Sequence, residues 1–144
     1  MFSFIDMNTI RETFKKDERL CSIKTISSLF ESGNIFHTSL FKVVWGKCPV
    51  SFPYPARVAF SVSKKGFRLA VTRNLIKRRM REAYRKNKST LYDQLLAENT
   101  QIAFFVILKG NAVPDYLTLE KSMKDMINRL IANIKSNTNM LPDQ

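Results

Sequence analysis

Residues 57–88 read RVAFSVSKKGFRLAVTRNLIKRRMREAYRKNK, and their hydrophobic period changes part-way along. The first seven residues alternate, as in a β-strand, between small or polar side chains and the large apolar side chains of Val58, Phe60 and Val62. From Thr72, a plausible N-cap, the apolar residues recur at helical spacing up to about Lys88. A strand and a helix joined by a short turn predict a fold in which helices pack on a sheet.

The rest of the chain supplies partners for this strand and helix. Residues 20–30 have a helical apolar pattern and are followed by Gly33, where a helix would stop. Residues 40–45 and 101–109 alternate as strands, and the second of these is apolar on both faces. Thr118 can cap a last helix with an apolar stripe from Leu119 to Ile134. The prediction is a single α+β domain, an α-β-β-α-β-α sandwich with an ordered core of about residues 12–136 and flexible ends.

The positive charge of the chain is concentrated in one segment. The 144 residues carry a formal net charge of +12, and residues 64–88 contain eleven basic residues and one acidic residue, Glu82. This segment therefore carries a net charge of +10, while the other 119 residues carry only +2. Lysines that only kept a protein in solution would be spread more evenly along the chain. The segment therefore indicates a nucleic acid or another polyanion as partner.

On a helical wheel, the basic residues of the predicted helix form a continuous arc of roughly 140° beside an apolar arc. The apolar arc contains Ile76, Met80, Ala83 and Tyr84, so the helix can pack on the sheet by one side and present cations on another. The basic arc consists of Arg73, Asn74, Lys77, Arg78, Arg81, Arg85 and Lys88. Like charges at spacing i,i+4 repel one another, and the phosphate groups of a nucleic acid would relieve that repulsion.

The small-residue face of the predicted strand allows two interpretations. It consists of Arg57, Ala59, Ser61 and Ser63. These residues could leave room for a single nucleic-acid strand to lie close to the backbone, or they could lie beneath a helix. Aromatic residues could stack on bases, although their spacing is more often that of a core. The aromatic candidates are Phe30, Phe36, Phe41 and Trp45.

The cysteines and the lengths of the apolar runs indicate the cellular compartment in which we expect the protein. No Cys-x-x-Cys motif or Cys/His cluster accompanies Cys21 and Cys48, so we expect two reduced thiols and neither a disulfide framework nor a zinc site. The N-terminus lacks the apolar run of a secretory signal, and no stretch of about 18 apolar residues occurs. The sequence therefore predicts a cytoplasmic protein without a membrane partner.

Two motifs together resemble the signature of the bacterial ribonuclease P protein family. They are SVSKK at residues 61–65 and RNLIKRRMREAYR at residues 73–85. That family has an SVSKK-like strand end followed by a helix of pattern R-N-x-x-K-R-x-x-R-E. The helix pattern is matched at Arg73, Asn74, Lys77, Arg78, Arg81 and Glu82. The resemblance covers about residues 19–135, and it departs from the family at Leu75, usually an arginine, and at Ile26, commonly an aromatic residue.

The resemblance implies a fold and a division of labour. The fold would be similar to a domain of small-subunit ribosomal proteins, with a mixed sheet and a left-handed β-α-β crossover. The basic helix would contact the catalytic RNA of ribonuclease P, and the implied RNA-binding residues are Arg73, Asn74, Lys77, Arg78, Arg81, Arg85, Lys64, Lys65 and Arg68. The 5′ leader of precursor tRNA would lie in a cleft lined by Phe30, Ile26, Phe41, Arg57, Ser61 and Ser63. Mg2+, held mainly by the RNA, would serve the hydrolysis, so the protein would have no catalytic residue and would be inactive alone.

Two other classes of nucleic-acid-binding protein remain open. A ribosomal or general RNA-binding protein of the same architecture would differ in the RNA that copurifies with it. A helix-turn-helix DNA-binding protein fits less well, because strands flank the basic helix, and no DNA partner is expected. Hydrolysis by metal ions bound to the protein needs converging carboxylates, and the basic segment offers only Glu82. His37, the single histidine, is a weak catalytic candidate.

Overall fold

A computed structural model describes residues 14, 16–20, 22–48 and 54–136 of the chain. Within these residues a short 3-10 turn, Lys16–Glu18, precedes four helices and four strands. The helices are α1 (Ile23–Ser32), α2 (Ala70–Asn87), α3 (Ser89–Ala97) and α4 (Tyr116–Ser136). The strands are β1 (Asn34–His37), β2 (Phe41–Cys48), β3 (Ala56–Val62) and β4 (Gln101–Leu108). Most of both predicted flexible ends, and Cys21 with its predicted reduced thiol, lie outside the described residues.

The four strands form one mixed sheet in the order β1-β2-β4-β3. β2 is antiparallel to β1 and to β4, whereas β3 is parallel to β4. Parallel neighbours need a long crossover, and α2 and α3 supply it between β3 and β4. The predicted α+β sandwich and its six elements are confirmed, and β1 and α3 were not predicted. The left hand of the crossover stays a prediction from the resemblance.

The alternation of side chains along the strands divides the apolar residues into two clusters on opposite faces of the sheet. The main core lies between one face and the helices α2, α3 and α4, and its largest fully buried side chains include Trp45, Tyr84 and Phe104. The opposite face has a small core of Leu20, Leu29, Val44 and Ala103 beneath α1. Among the described residues, three helices therefore cover one face of the sheet, whereas the other face is covered only in part.

The helix ends correct two of the predicted caps. α2 begins at Ala70, two residues before Thr72, and its N-cap residue makes no side-chain capping bond. α4 begins at Tyr116, and Asp115 is the capping side chain, because its Oδ1 accepts a 2.8 Å hydrogen bond from the backbone N–H of Thr118. The predicted stop at Gly33 is confirmed, because its N–H donates a hydrogen bond to the carbonyl oxygen of Leu29. A Cβ at this position would lie only 2.5 Å from the same oxygen.

Candidate nucleic-acid interface

The basic helix α2 packs by one side and presents its cations on the rest of its surface. The predicted apolar arc is buried in full, with Ile76, Met80, Ala83 and Tyr84 in the main core. The predicted cationic arc is mostly accessible: Asn74 and Arg78 are exposed, and Lys77 is half-buried. The residues that anchor the helix thus alternate in sequence with those that could contact a partner.

The turn between β3 and α2 adds three exposed cations, Lys64, Lys65 and Arg68. Nη1 of Arg73 donates hydrogen bonds of 2.8 Å to the backbone carbonyl oxygens of Phe67 and Arg68. At the other end of the turn, Oγ of Ser63 accepts a bond of 3.1 Å from the N–H of Lys65. Arg73 therefore has a second role besides its charge, because it ties the basic turn to the start of the basic helix.

Arg85 and Glu82 form an ion pair on the outer surface of α2. Nη2 and Nε of Arg85 donate bonds of 2.6 and 3.0 Å to the two carboxylate oxygens of Glu82. This hydrogen bonding lowers the pKa of Glu82 and raises that of Arg85. The only acidic residue of the basic segment is thus engaged locally, and Arg85, predicted to bind RNA, already has a carboxylate partner.

Lys88 does not belong to the accessible basic arc in which the helical wheel placed it. Its side chain is fully buried and bonded to Glu18, because α2 ends at Asn87 and Lys88 faces the protein interior. Burial lowers the pKa of Lys88, and the hydrogen bond to Glu18 acts in the opposite direction. The helical-wheel prediction is wrong for Lys88, because it treats Lys88 as part of α2, whereas this residue lies between α2 and α3.

The partly open face of the sheet carries most of the residues predicted to form a cleft. Phe30, on α1, is 49% exposed, and its ring lies 5.2 Å from that of Phe105 in an edge-on arrangement. Ile26 packs partly buried against the small core under α1. On β3 and just after it, Arg57 and Ser61 are half-buried and Ser63 is exposed. An aromatic ring and short polar side chains are thus both accessible on this side of the sheet.

Phe41 is a correction to the predicted cleft. It is fully buried in the main core, which lies on the face of the sheet opposite to α1. Trp45, four residues further along the same strand, is buried in the same core. Phe105 was not predicted as a site residue, although the alternation along residues 101–109 placed it on the face opposite to Phe104. Phe30 and Phe105 are the accessible aromatic pair of the cleft. Arg19 was not predicted as a site residue either.

The described residues contain no group of three or more His, Cys, Asp or Glu side chains that could hold a metal ion. His37 lies on β1 with an exposed side chain. None of the four helices in the described part of the chain is long and apolar enough to cross a membrane.

Comparison with known proteins identifies the family. The model of the family described as Ribonuclease P matches residues 14–131, which include the basic turn, α2 and the face of β3. The chain belongs to the ribonuclease P protein family. This confirms the resemblance seen in the two motifs, and it connects the chain with RNA binding and tRNA processing.

Similar proteins cover most of the chain. The ribonuclease P protein component of Porphyromonas gingivalis is 36% identical over 123 residues, which are 84% of this chain and 88% of the relative. That of Chlorobium phaeobacteroides is 32% identical and covers 94% of each chain. Among solved structures, the RNase P protein from Thermotoga maritima has a TM-score of 0.63 at 23% identity and covers 78% of this chain and 96% of its own. A Staphylococcus aureus RNase P protein mutant has a TM-score of 0.62 at 21% identity, with coverage of 80% and 89%. At these identities the structural likeness shows the fold.

Proposed function

We propose that this chain is the protein subunit of a ribonuclease P holoenzyme, in which it binds the catalytic RNA through α2 and the turn at residues 63–69. The partly open face of the sheet binds the 5′ leader of precursor tRNA. The reaction supported is the endonucleolytic removal of the leader, which produces the mature 5′ end of tRNA. We expect this assembly in the cytoplasm, without DNA or membrane partners.

The observation that carries the proposal is the pair of hydrogen bonds from Arg73 to the turn. They join the exposed Lys64, Lys65 and Arg68 to the exposed residues of α2 in one surface. In this surface the described chain offers a single acidic residue, Glu82, whose carboxylate is held by Arg85. Arginine and lysine on an ordered backbone can contact successive phosphates and release their counterions, which favours a folded RNA as partner.

The proposal that the leader, a second RNA, binds the sheet face is supported by the different chemistry of that face. A single strand is typically held by aromatic side chains that stack on its bases and by polar groups near its backbone. Phe30 offers an accessible ring that Phe105 braces, and Ser61 and Arg57 offer polar groups on β3. The protein would therefore hold two RNA surfaces at once and screen the repulsion between their phosphates.

The hydrolysis itself is assigned to the RNA. The described acidic and histidine side chains do not cluster, so they do not fit a site in which protein carboxylates hold two Mg2+ ions. We therefore expect Mg2+ to be held mainly by the RNA, where it would stabilise the charge that develops on the phosphodiester oxygens. The residues of this chain bind and orient the two RNAs, and no catalytic role is assigned to them.

The RNA that copurifies with the full chain tests this proposal. A tagged protein is expressed in the organism of origin, purified under native conditions, and the bound RNA is sequenced. Enrichment of ribonuclease P RNA and precursor tRNA is expected. Enrichment of ribosomal RNA instead would favour a ribosomal protein of the same architecture, and a variant with Arg73→Ala and Arg78→Ala serves as the control for nonspecific capture.

A further inference from the structure

A buried carboxylate attaches the N-terminal segment to the end of the basic helix. Oε2 of Glu18 accepts hydrogen bonds from Nζ of Lys88 and from the hydroxyl of Tyr92, and all three residues are fully buried. Nζ of Lys88 also lies 5.7 Å from the ring centroid of Phe14 and 5.1 Å from that of Tyr92. Residues that are 70 and 74 positions apart in sequence are thus joined inside the protein.

Stability alone does not explain this buried ion pair. Both charges lose their hydration on burial, and well-packed apolar residues of the same volume often give equal or greater stability. A buried pair does, however, restrict the relative position of its two partners, because any shift that separates them leaves an uncompensated charge in the interior. Glu18 therefore fixes the position of the N-terminal segment along the sheet.

Arg19, the next residue, depends on that position. It pairs with Val58 on the edge of β3, and the N–H of Leu20 donates a 2.9 Å hydrogen bond to the carbonyl oxygen of Val58. The guanidinium of Arg19 lies 5.5 Å from the ring centroid of Phe14, the aromatic residue that also lies against Lys88. The placement of Arg19 is thus connected to the buried pair through the backbone and through Phe14.

Arg19 and Arg81 line the same cavity, of about 160 Å3, between the N-terminal segment, β3 and α2. Burial lowers the pKa of Arg81, and the positive charge of Arg19 lowers it further. Glu18, the acidic residue beside Arg19 in sequence, faces inward to Lys88 and Tyr92. Two guanidiniums held at one small cavity repel each other, and a phosphate group between them would turn the repulsion into two charge-assisted hydrogen bonds.

We propose that Glu18, through its buried bonds to Lys88 and Tyr92, is a positioning residue that holds Arg19 beside Arg81 so that the two guanidiniums bind one RNA phosphate. Glu18 itself does not touch the RNA. This inference rests on the proposed function, because it adds a phosphate contact from the N-terminal segment to the RNA surface of α2.

The test is whether Glu18→Gln strengthens or weakens the binding of RNA. This change removes a negative charge, so a purely electrostatic influence on RNA binding would strengthen binding. If Glu18 positions Arg19, binding of the full chain to ribonuclease P RNA should instead weaken severalfold, and Arg19→Ala should weaken it roughly tenfold. Each change should reduce the slope of log affinity against log salt by about one phosphate contact, roughly 0.7–0.9.

Controls separate positioning from general loss of structure. Glu98→Gln makes the same charge change at an exposed residue after α3 and should leave affinity equal or slightly higher. When Arg19 is already alanine, Glu18→Gln should have no further effect on RNA binding, although it should still lower the thermal unfolding temperature. Circular dichroism confirms that each variant is folded at the assay temperature. If Glu18→Gln does not fold, Tyr92→Phe takes its place: it removes one donor to Glu18 and no charge, so it is compared with the wild type and should also weaken binding.

Two outcomes overturn the inference. One is an affinity of Glu18→Gln equal to or above that of Glu98→Gln, or, in its place, an affinity of Tyr92→Phe equal to or above that of the wild type. The other is an equal loss of affinity from Glu18→Gln with and without Arg19. Failure of the wild-type chain to bind ribonuclease P RNA would instead contradict the proposed function, so the two failures are distinguishable.

Discussion

The guanidinium of Arg73 donates a hydrogen bond of 2.8 Å to the backbone carbonyl oxygen of Phe67, across the turn that joins β3 to α2. Arg78, one and a half helical turns further on, has an exposed side chain. Arg73→Ala removes a charge and also releases the turn that carries Lys64 and Lys65, whereas Arg78→Ala removes a charge alone. We therefore expect Arg73→Ala to cost more RNA affinity than Arg78→Ala.

The salt dependence of binding checks this difference. Arg78→Ala should reduce the slope of log affinity against log salt by one contact, about 0.9 for a duplex and about 0.7 for a single strand, and Arg73→Ala should reduce it by more. Lys135→Ala is the matched control, because it removes a cation in the last turn of α4, about 28 Å along the helix from Tyr116. Unchanged slopes for Arg73→Ala and Arg78→Ala would place both residues outside the interface.

Lys88→Ala should destabilise the protein strongly, although Lys88 lies at the end of a segment of surface cations. It leaves the buried carboxylate of Glu18 without its counter-ion, which typically costs about 3–5 kcal/mol. Lys86→Ala is the control, since Lys86 is exposed and lies 5.4 Å from the ring centroid of Tyr116. Urea unfolding gives the free energies, and a loss for Lys88→Ala as small as that for Lys86→Ala would contradict the account of the buried pair.

The elements of the sheet could be predicted because their strands alternate strongly. Val58 and Phe104 belong to runs in which every second residue is large and apolar, and both lie in the main core. α3 was missed although Leu91, Tyr92 and Leu95 have helical spacing, because it begins two residues after α2 ends and its N-cap has no capping side chain. β1 has only four residues with alternating partial exposure, and pairing with β2 rather than its own pattern makes it a strand.

Phe30→Ala should weaken binding of precursor tRNA by the holoenzyme without weakening binding of mature tRNA, which has no leader. Stacking of a base on an aromatic side chain is worth about 1–3 kcal/mol, so a loss of roughly 5-fold to 150-fold is expected. Ile23→Ala, at an 80% exposed residue in the first turn of the same helix, is the control. Equal losses for both tRNAs would remove Phe30 from the leader site.

Phe41→Ala should have a different consequence, because Phe41 is fully buried on the other face of the sheet. The cavity that it leaves should cost about 3–5 kcal/mol of folding free energy. Chemical denaturation measures this loss, and the variant that remains folded should discriminate leader-bearing from leaderless substrate as the wild type does. A selective loss of leader binding with unchanged stability would restore Phe41 to the cleft.

The thiol of Cys48 should react slowly near neutral pH. Burial raises the pKa of this thiol to about 11, so at pH 8 only roughly one molecule in a thousand carries the reactive thiolate. In a Cys21→Ser background, the rate of alkylation by iodoacetamide should rise about tenfold per pH unit until about pH 11. The same protein in urea should level off near the ordinary pKa of about 8.5. A folded protein that also levels off there would show that Cys48 is exposed.

The candidate interface could be predicted only as far as a single helix determines it. A helical wheel assigns Arg81 and Lys88 to one arc, but it contains no information on Glu18, which removes Lys88 from the surface. The resemblance implied a place for Phe41 in the cleft, although Phe41 belongs to the core. Strand alternation could not correct this, because it separates the faces of β2 without saying which face the helices cover. The roles of Arg19 and of the Arg73 bonds depend on contacts between segments, which no local pattern contains.

Cleavage of precursor tRNA by the matching catalytic RNA at low Mg2+ tests the central claim most directly. Initial rates are measured with RNA alone, with protein alone and with both, on a substrate with its full leader and on one with the leader shortened to a single nucleotide. We expect no cleavage by protein alone, and a stimulation by protein that is largest for the full leader and is expressed as a lower KM. Absence of stimulation, or cleavage by protein alone, would contradict the account.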